Sequence, residues 1–451
     1  MMAWLACALF ALTKGHARES EAAMQTPVTP PAHPLRRNAR VLAASLVGTS
    51  VEFYDYYVFA TATALVFGAM FFPKASPSVQ QIAAFMVFGG AFIARPVGAI
   101  AFGHFGDKVG RKSTLVASLL LMGASTLAVA FLPSYAQAGI LAPVLLCICR
   151  FGQGFGLGGE WGGAALLAVE NAPPGWKGRF GCAPQLGAPV GFLCANGLFL
   201  VLGLTMSDAD FRAWGWRVPF LLSALLVAVG LWVRLKISET PAFREAMEHH
   251  TPPAVPLGAL LRHHWRGLLA GSAGVVACFA LFYLSTAFAL SQGAGPLHYN
   301  RQSFLGVQLA ANLFLTAGII VSAIWSDRST PGRVLAWGAG LGSLVGFFFW
   351  AGLSSGSLWL VFLTLSAALF VMGLAYGPLS NWLAELFPVP VRYSGVSMAF
   401  NVGGIVGGAF TPGLAQTLVD RHMGNYVGVL PMVAGIVTLI GIGWAARHRA
   451  G

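Results

Sequence analysis

Apolar runs of roughly twenty residues, separated by short polar or Gly/Pro-bearing stretches, repeat along most of this 451-residue chain. Such runs fit helices crossing a hydrocarbon layer ~30 Å thick at ~1.5 Å rise per residue. The pattern predicts spans at 41–70, 81–103, 113–132, 139–168, 181–204 and 217–236, then 267–290, 303–325, 334–352, 357–381, 394–418 and 426–446. Between the two sets of six lies 237–266, the longest hydrophilic connection, rich in proline and basic residues. A segment that short cannot build a core of its own, so no soluble catalytic insert is expected. The predicted organisation is an N-terminal tail 1–40, a six-helix bundle 41–236, a central connection 237–266, a second six-helix bundle 267–446 and a tail 447–451. That is an all-α membrane protein of twelve transmembrane helices in two pseudo-symmetric halves.

Composition strengthens this picture. Only 9% of residues are charged and 57% are hydrophobic, against about 25% charged in soluble domains, which excludes a water-soluble fold. The net charge of +12 would suit nucleic acid, but its placement argues otherwise. With both termini cytoplasmic, Lys74, Arg212, Arg217, Arg301 and Arg421 fall outside and Arg95 and Arg150 within spans, leaving 20 of the 27 Lys and Arg inside. That asymmetry follows the positive-inside rule. The six cysteines lie in or beside apolar runs without zinc-site or CxxC spacing and read as packing residues. Residues 1–13 are apolar but too short to span and lack a basic leader. Translation is expected to begin at Met24, ahead of the Pro-rich stretch that ends in RRNAR.

Charges inside spans are costly and therefore candidates for function. Glu52 and Asp55 stand three apart in the first span, on one helical face. Glu160 lies in the fourth span and Glu170 at its inner end. Carboxylates at mid-depth can exchange protons, since burial disfavours the ionised form. Arg150 enters to a similar depth, is expected to face Glu52 and Asp55, and shares a helical stripe with Gln153 and Glu160. Its guanidinium can hold a carboxylate in bidentate fashion or change partners as an acid is protonated. Arg95 lies nearer the cytoplasm, followed by Pro96, where freed carbonyls could engage it. The spans of the second half carry no acid; Asn312, Tyr376, Asn381, Asn401 and Gln416, with Tyr283 and Trp382, are its softer polar and aromatic surfaces. Neither GxxxxGK[ST] nor HExxH occurs, so no ATP motor or zinc-protease site is expected, and no cofactor is called for.

The connection GHFGDKVGRK at 103–112 sets two glycines for a tight reversal and Asp107, Lys108, Arg111 and Lys112 in water. It resembles the signature loop of the major facilitator superfamily. Four stretches, 48–73, 94–112, 150–181 and 385–397, are similar to the metabolite–proton symporters, the group of shikimate, α-ketoglutarate, citrate and proline/betaine carriers, and read closest to the shikimate type. The resemblance implies twelve helices, alternating access, and uptake of a small organic acid or zwitterion with a proton. It places the signature loop on Gly103, Gly106, Asp107, Gly110, Arg111 and Lys112, the fourth-helix motif on Arg150, Gln153 and Gly154, and the acidic pair on Glu52 and Asp55. The second-half counterpart is eroded to SDRSTPGR at 326–333, keeping Asp327 and Arg328. With RHRAG just past the last span, the osmosensing role of members with a coiled-coil tail is not expected, and PQLGAPVG at 184–191 only faintly matches an antiporter motif.

The resulting expectation is a non-enzymatic, proton-coupled importer of a small carboxylate in a bacterial-type inner membrane, acting as a monomer without nucleic-acid partners. Glu52, Asp55 and Glu160 are expected to couple protons. Arg150, Gln153, Tyr56, Asn381 and Asn401 are expected to bind substrate, and Arg95 to work with the signature loop in gating. The alternatives are uptake of a zwitterion such as betaine or proline, and a metabolite sensor built on a transporter fold.

Overall fold

The structure, a computed structural model, describes residues 35, 38–109, 111–158, 160–236 and 256–449. Among these residues every regular element is helical, as backbone must be where lipid offers no hydrogen bonds. The long helices are α1 (Ala39–Ala62, continued by Thr63–Phe67 and Gly68–Phe71), α2 (Pro77–Val109), α3 (Arg111–Val129), α4 (Leu141–Glu170), α5 (Lys177–Thr205) and α6 (Val218–Lys236). The second set is α7 (Trp265–Ala294), α8 (Arg301–Arg328), α9 (Pro331–Leu353), α10 (Leu358–Ala384), α11 (Val391–Asp420) and α12 (Val429–Arg449). Among the described residues ten helices are long and apolar enough to cross a membrane, and Val116–Val129 in α3 is a shorter apolar one. Helix α1 carries Glu52 and Asp55 in its middle. Ile148, Leu225, Phe347, Phe348, Trp359 and Ile440 are each at least 60% exposed; large apolar side chains so placed need lipid around them.

The segment expected to reverse at 103–112 is mostly helix. Helix α2 runs through Gly103, Gly106 and Asp107 to Val109, and α3 starts at Arg111, followed by Lys112. A helix bonds its own backbone and need not stop where lipid stops. Gly110 lies outside the described residues, as do the side chains of 103–115. Pro256–His263 is also helical within the expected polar connection, and its Leu260 is fully buried.

The first helices of the two sets share an irregularity. Both α1 and α7 pass through a π turn, at Thr63–Phe67 and Leu284–Phe288, and α11 has a third at Ile405–Ala409. Helix α1 packs on α5 and α6, and α4 on α2 and α3; α7 packs on α11 and α12, and α10 on α8 and α9. Between the sets, α5 lies against α8, α2 against α11, and the second part of α4, Glu160–Glu170, against α10 and α11. Gly89 allows one of these crossings, since a Cβ there would sit 2.9 Å from the Ala409 carbonyl oxygen.

Both ends are closed. At the end holding the central connection, Arg179 pairs with Asp327 at 2.7 Å, Arg392 with Glu170 at 3.2 Å, and Trp161 stacks on Phe400 with ring centres 3.5 Å apart. At the opposite end, Ser78 donates to Asp420 at 2.9 Å, Gln302 donates to the Gly203 carbonyl at 3.0 Å, and Arg301 pairs with Asp208 at 2.8 Å.

Candidate functional site

The site begins with a buried cation. Arg150, on α4, is 1% exposed. Its guanidinium carbon lies 4.2 Å from the ring centres of Tyr56 and Phe59 and 4.7 Å from that of Phe88. Aromatic faces attract a cation in a dry setting, but they accept no ordinary hydrogen bond. Nε donates to the Phe88 carbonyl at 3.2 Å and Nη1 to Gln153 Oε1 at 3.0 Å, while Nη2 has no partner. Arg95, on α2, holds its guanidinium carbon 4.6 Å from Tyr56 and 4.8 Å from Phe92. Tyr56 therefore has a guanidinium close on two counts, from α2 and from α4. Arg95 was expected to work with the signature loop, whose side chains at 103–115 lie outside the described residues.

Asp55 does not touch Arg150. Residues 55 and 56 are consecutive, so they point roughly 100° apart on the helix; with Tyr56 toward the arginines, Asp55 turns into the first set of helices. There Ser223 of α6 donates to Oδ1, and Thr126 of α3 to Oδ2 at 3.3 Å. Asp55 is 1% exposed. The connection to Arg150 is indirect: Gln153 Nε2 donates to Thr126 Oγ1 at 2.8 Å, and Gln153 Oε1 accepts from Arg150. Thr126 has one proton and two acceptors, Asp55 and the Met122 carbonyl at 2.9 Å. The result is a hydrogen-bonded chain, Ser223–Asp55–Thr126–Gln153–Arg150, across α6, α1, α3 and α4.

The other expected residues are placed as follows. Glu52 is buried on α1. Glu160 is buried at the start of the second part of α4, accepting from Ser118 of α3. Gln153 has both amide atoms engaged by the chain above. Asn401 donates to the Gly158 carbonyl at 2.8 Å, joining α11 to α4, and Asn381 is buried with Oδ1 unpartnered. Thus Gln153 and Asn401 serve internal bonds in this closed state.

Two small cavities lie between the sets of helices. One, with about 220 Å³ of space free of atoms, is lined by Tyr57, Thr61, Asn196, Thr286 and Gln308 among others. The second, with about 290 Å³, is walled by Phe53, Tyr57, Phe279, Phe282, Tyr283 and Tyr376 among others. Tyr57 belongs to both. Tyr56 connects the arginines to them, its ring centre 6.1 Å from that of Tyr283. Of these lining residues, sequence reasoning had singled out Tyr283 and Tyr376 but missed Asn196, Gln308 and Thr61. A lone amide or hydroxyl in a helix usually bonds a neighbour, and only spatial position sets these apart.

Comparison with known proteins agrees with this architecture. The sugar (and other) transporter family profile matches residues 41–252. The inner membrane metabolite transport protein YhjE of Escherichia coli is 44% identical over 91% of this chain and 94% of its own. The shikimate transporter of Escherichia coli is 37% identical over 88% and 91%. A solved major facilitator superfamily proton:xylose symporter, XylE, superposes with a TM-score of 0.71 at 14% identity, covering 92% of this chain and 96% of that one. The chain accordingly belongs to the sugar (and other) transporter family, as an integral membrane transporter of metabolites and not an enzyme, and it shares its fold with the major facilitator superfamily symporter XylE.

Proposed function

We propose that the protein is a proton-coupled symporter that imports a small organic acid across the inner membrane by alternating access, with both termini in the cytoplasm. One observation carries the reading: the hydrogen-bonded chain from Asp55 to Arg150. With Asp55 ionised, the Thr126 proton is drawn to its carboxylate. With Asp55 protonated, the acid itself can donate to Thr126 Oγ1, and the Thr126 proton goes wholly to Met122. The change passes through Gln153 to the guanidinium, whose spare Nη2 is a donor fit for a carboxylate. Turning Tyr56 away would open Arg150, with Arg95 beside it, to the cavities. Cargo drives closure only through unequal affinity for the open and closed states. The aromatic wall of the larger cavity also favours a second reading, a zwitterion with a quaternary ammonium resting on ring faces.

The test is uptake into proteoliposomes of a labelled organic acid that the purified chain binds. Asp55→Asn is expected to lose accumulation driven by an acidic exterior while keeping counterflow exchange. Full pH-driven accumulation by that variant would refute the proton role.

A further inference from the structure

Two buried amides face the smaller cavity from opposite sets of helices, with opposite polarity. Gln308, on α8, is 1% exposed. Its Nε2 donates to the carbonyls of Ser285 at 3.0 Å and Thr286 at 2.9 Å. Both carbonyls belong to the π turn of α7, where a change of helical register leaves backbone acceptors free. Two carbonyls at one end of the amide decide which end carries the hydrogens. Oε1 is therefore an acceptor, and it has no partner. Asn196, on α5, is fully buried. The Thr61 hydroxyl donates to its Oδ1 at 2.5 Å, which leaves Nδ2 a donor without a partner. Buried polar groups left so are rare in folded proteins and call for an explanation.

We propose that Asn196 and Gln308 clasp a hydroxyl group of the cargo, which makes the substrate a hydroxyl-bearing carboxylate. A hydroxyl can accept from Asn196 Nδ2 and donate to Gln308 Oε1 at once. A second carboxylate has only acceptors and leaves Oε1 unmet; an ammonium has only donors and leaves Nδ2 unmet; a quaternary ammonium satisfies neither. Because one amide stands on α5 and the other on α8, the clasp forms only when the two sets of helices are together. The hydroxyl thereby favours the closed state over the open ones, which is the differential affinity that moves a transporter. This inference rests on the carboxylate reading above.

The test is calorimetric titration of the purified full-length chain with three probes: shikimate, cyclohex-1-ene-1-carboxylate, which has the same ring acid without hydroxyls, and glycine betaine. Shikimate is expected to bind about tenfold or more tighter than the bare acid, as a site built to bond a hydroxyl rejects the analogue lacking it. Asn196→Leu and, separately, Thr61→Val, which frees the Asn196 amide to turn, should bring the two acids within about twofold of each other. Gln308 is left intact because it also secures α7. Equal affinities of the two acids in the unaltered chain would overturn the clasp alone, leaving water as the cavity's occupant and the carboxylate reading standing. A preference for glycine betaine, or no binding of any probe, would overturn that reading and the clasp with it.

Discussion

Thr126 has a single hydroxyl proton, and the acceptor it chooses reports the charge on Asp55. Replacing it by valine keeps the shape and deletes the link. Thr126→Val is expected to flatten the pH dependence of uptake and to lower pH-driven transport about tenfold, the scale of one hydrogen bond to a charged group; an unaltered pH profile would show that the link is idle. Arg150→Lys should weaken acid binding by a similar factor, because a point charge cannot replace a planar fork, and titration of the purified variant measures it. At this scale the sequence was legible where it broke its own rule. Glu52, Asp55, Arg95, Arg150 and Glu160 stand out because charges are rare in apolar runs. Similar depth along the spans also suggested that Asp55 faces Arg150, whereas the two are joined only through Thr126 and Gln153. The step from Asp55 to Tyr56 decides which of the two meets the arginines, and a helical repeat alone does not orient a helix among its neighbours. Thr126 and Ser223 were illegible for a different reason: hydroxyls are common in such helices, and their partners are 71 and 168 residues away.

Among the elements, the start of α5 meeting the end of α8 has the clearest consequence. Asp327 accepts from the backbone N–H groups of Gly178 at 2.6 Å and Arg179 at 3.3 Å, and from Arg179 Nε at 2.7 Å. Its side chain is 2% exposed. A carboxylate at a helix N-terminus meets both unpaired N–H groups and the positive end of the dipole. Gly178 permits the approach, since a Cβ there would lie 2.9 Å from Asp327 Oδ1. Capping of this kind contributes about 1 kcal/mol, enough to shift an opening equilibrium several-fold. Asp327→Ala should therefore loosen this end, and Cys182, buried in α5 with 6% exposure, serves as a native reporter. Its labelling by a water-soluble maleimide is expected to rise several-fold; unchanged labelling would count against Asp327 as a latch. The sequence showed Asp327 as a survivor of an eroded loop, but its partner lies 149 residues away. Helix positions themselves were legible almost throughout, because apolar length is a direct physical requirement of the bilayer. The overrun of α2 to Val109 and the helix Pro256–His263 were not, since polar helices outside lipid leave no such mark.

For the whole molecule, closure at both ends around small central cavities is what a carrier must pass through between its outward and inward forms. The end holding the central connection adds a buried carboxylate, Asp327, to the partly exposed pair of Arg392 with Glu170, whereas the other end pairs Arg301 with the exposed Asp208. Partly exposed pairs contribute little and are screened by salt, so the end opposite the central connection is expected to open more readily in the absence of cargo. The π turns in α1 and α7 lie on that side of Asp55 and touch one another. The two-by-six arrangement was legible from the run lengths and the single long polar connection. The identity of the cargo was not, because cavity shape arises only when helices far apart in sequence converge. The central claim, that a proton and an organic acid cross together through the chain from Asp55 to Arg150, is tested most directly by the pH inside proteoliposomes. With a pH-sensitive dye trapped inside and no imposed gradient, adding an acid that the chain binds, as its fully ionised salt, should acidify the interior in vesicles holding the unaltered protein. The Asp55→Asn variant should give no acidification while still exchanging labelled acid across the membrane. Uptake of labelled acid by the unaltered protein with no change in internal pH would contradict the account.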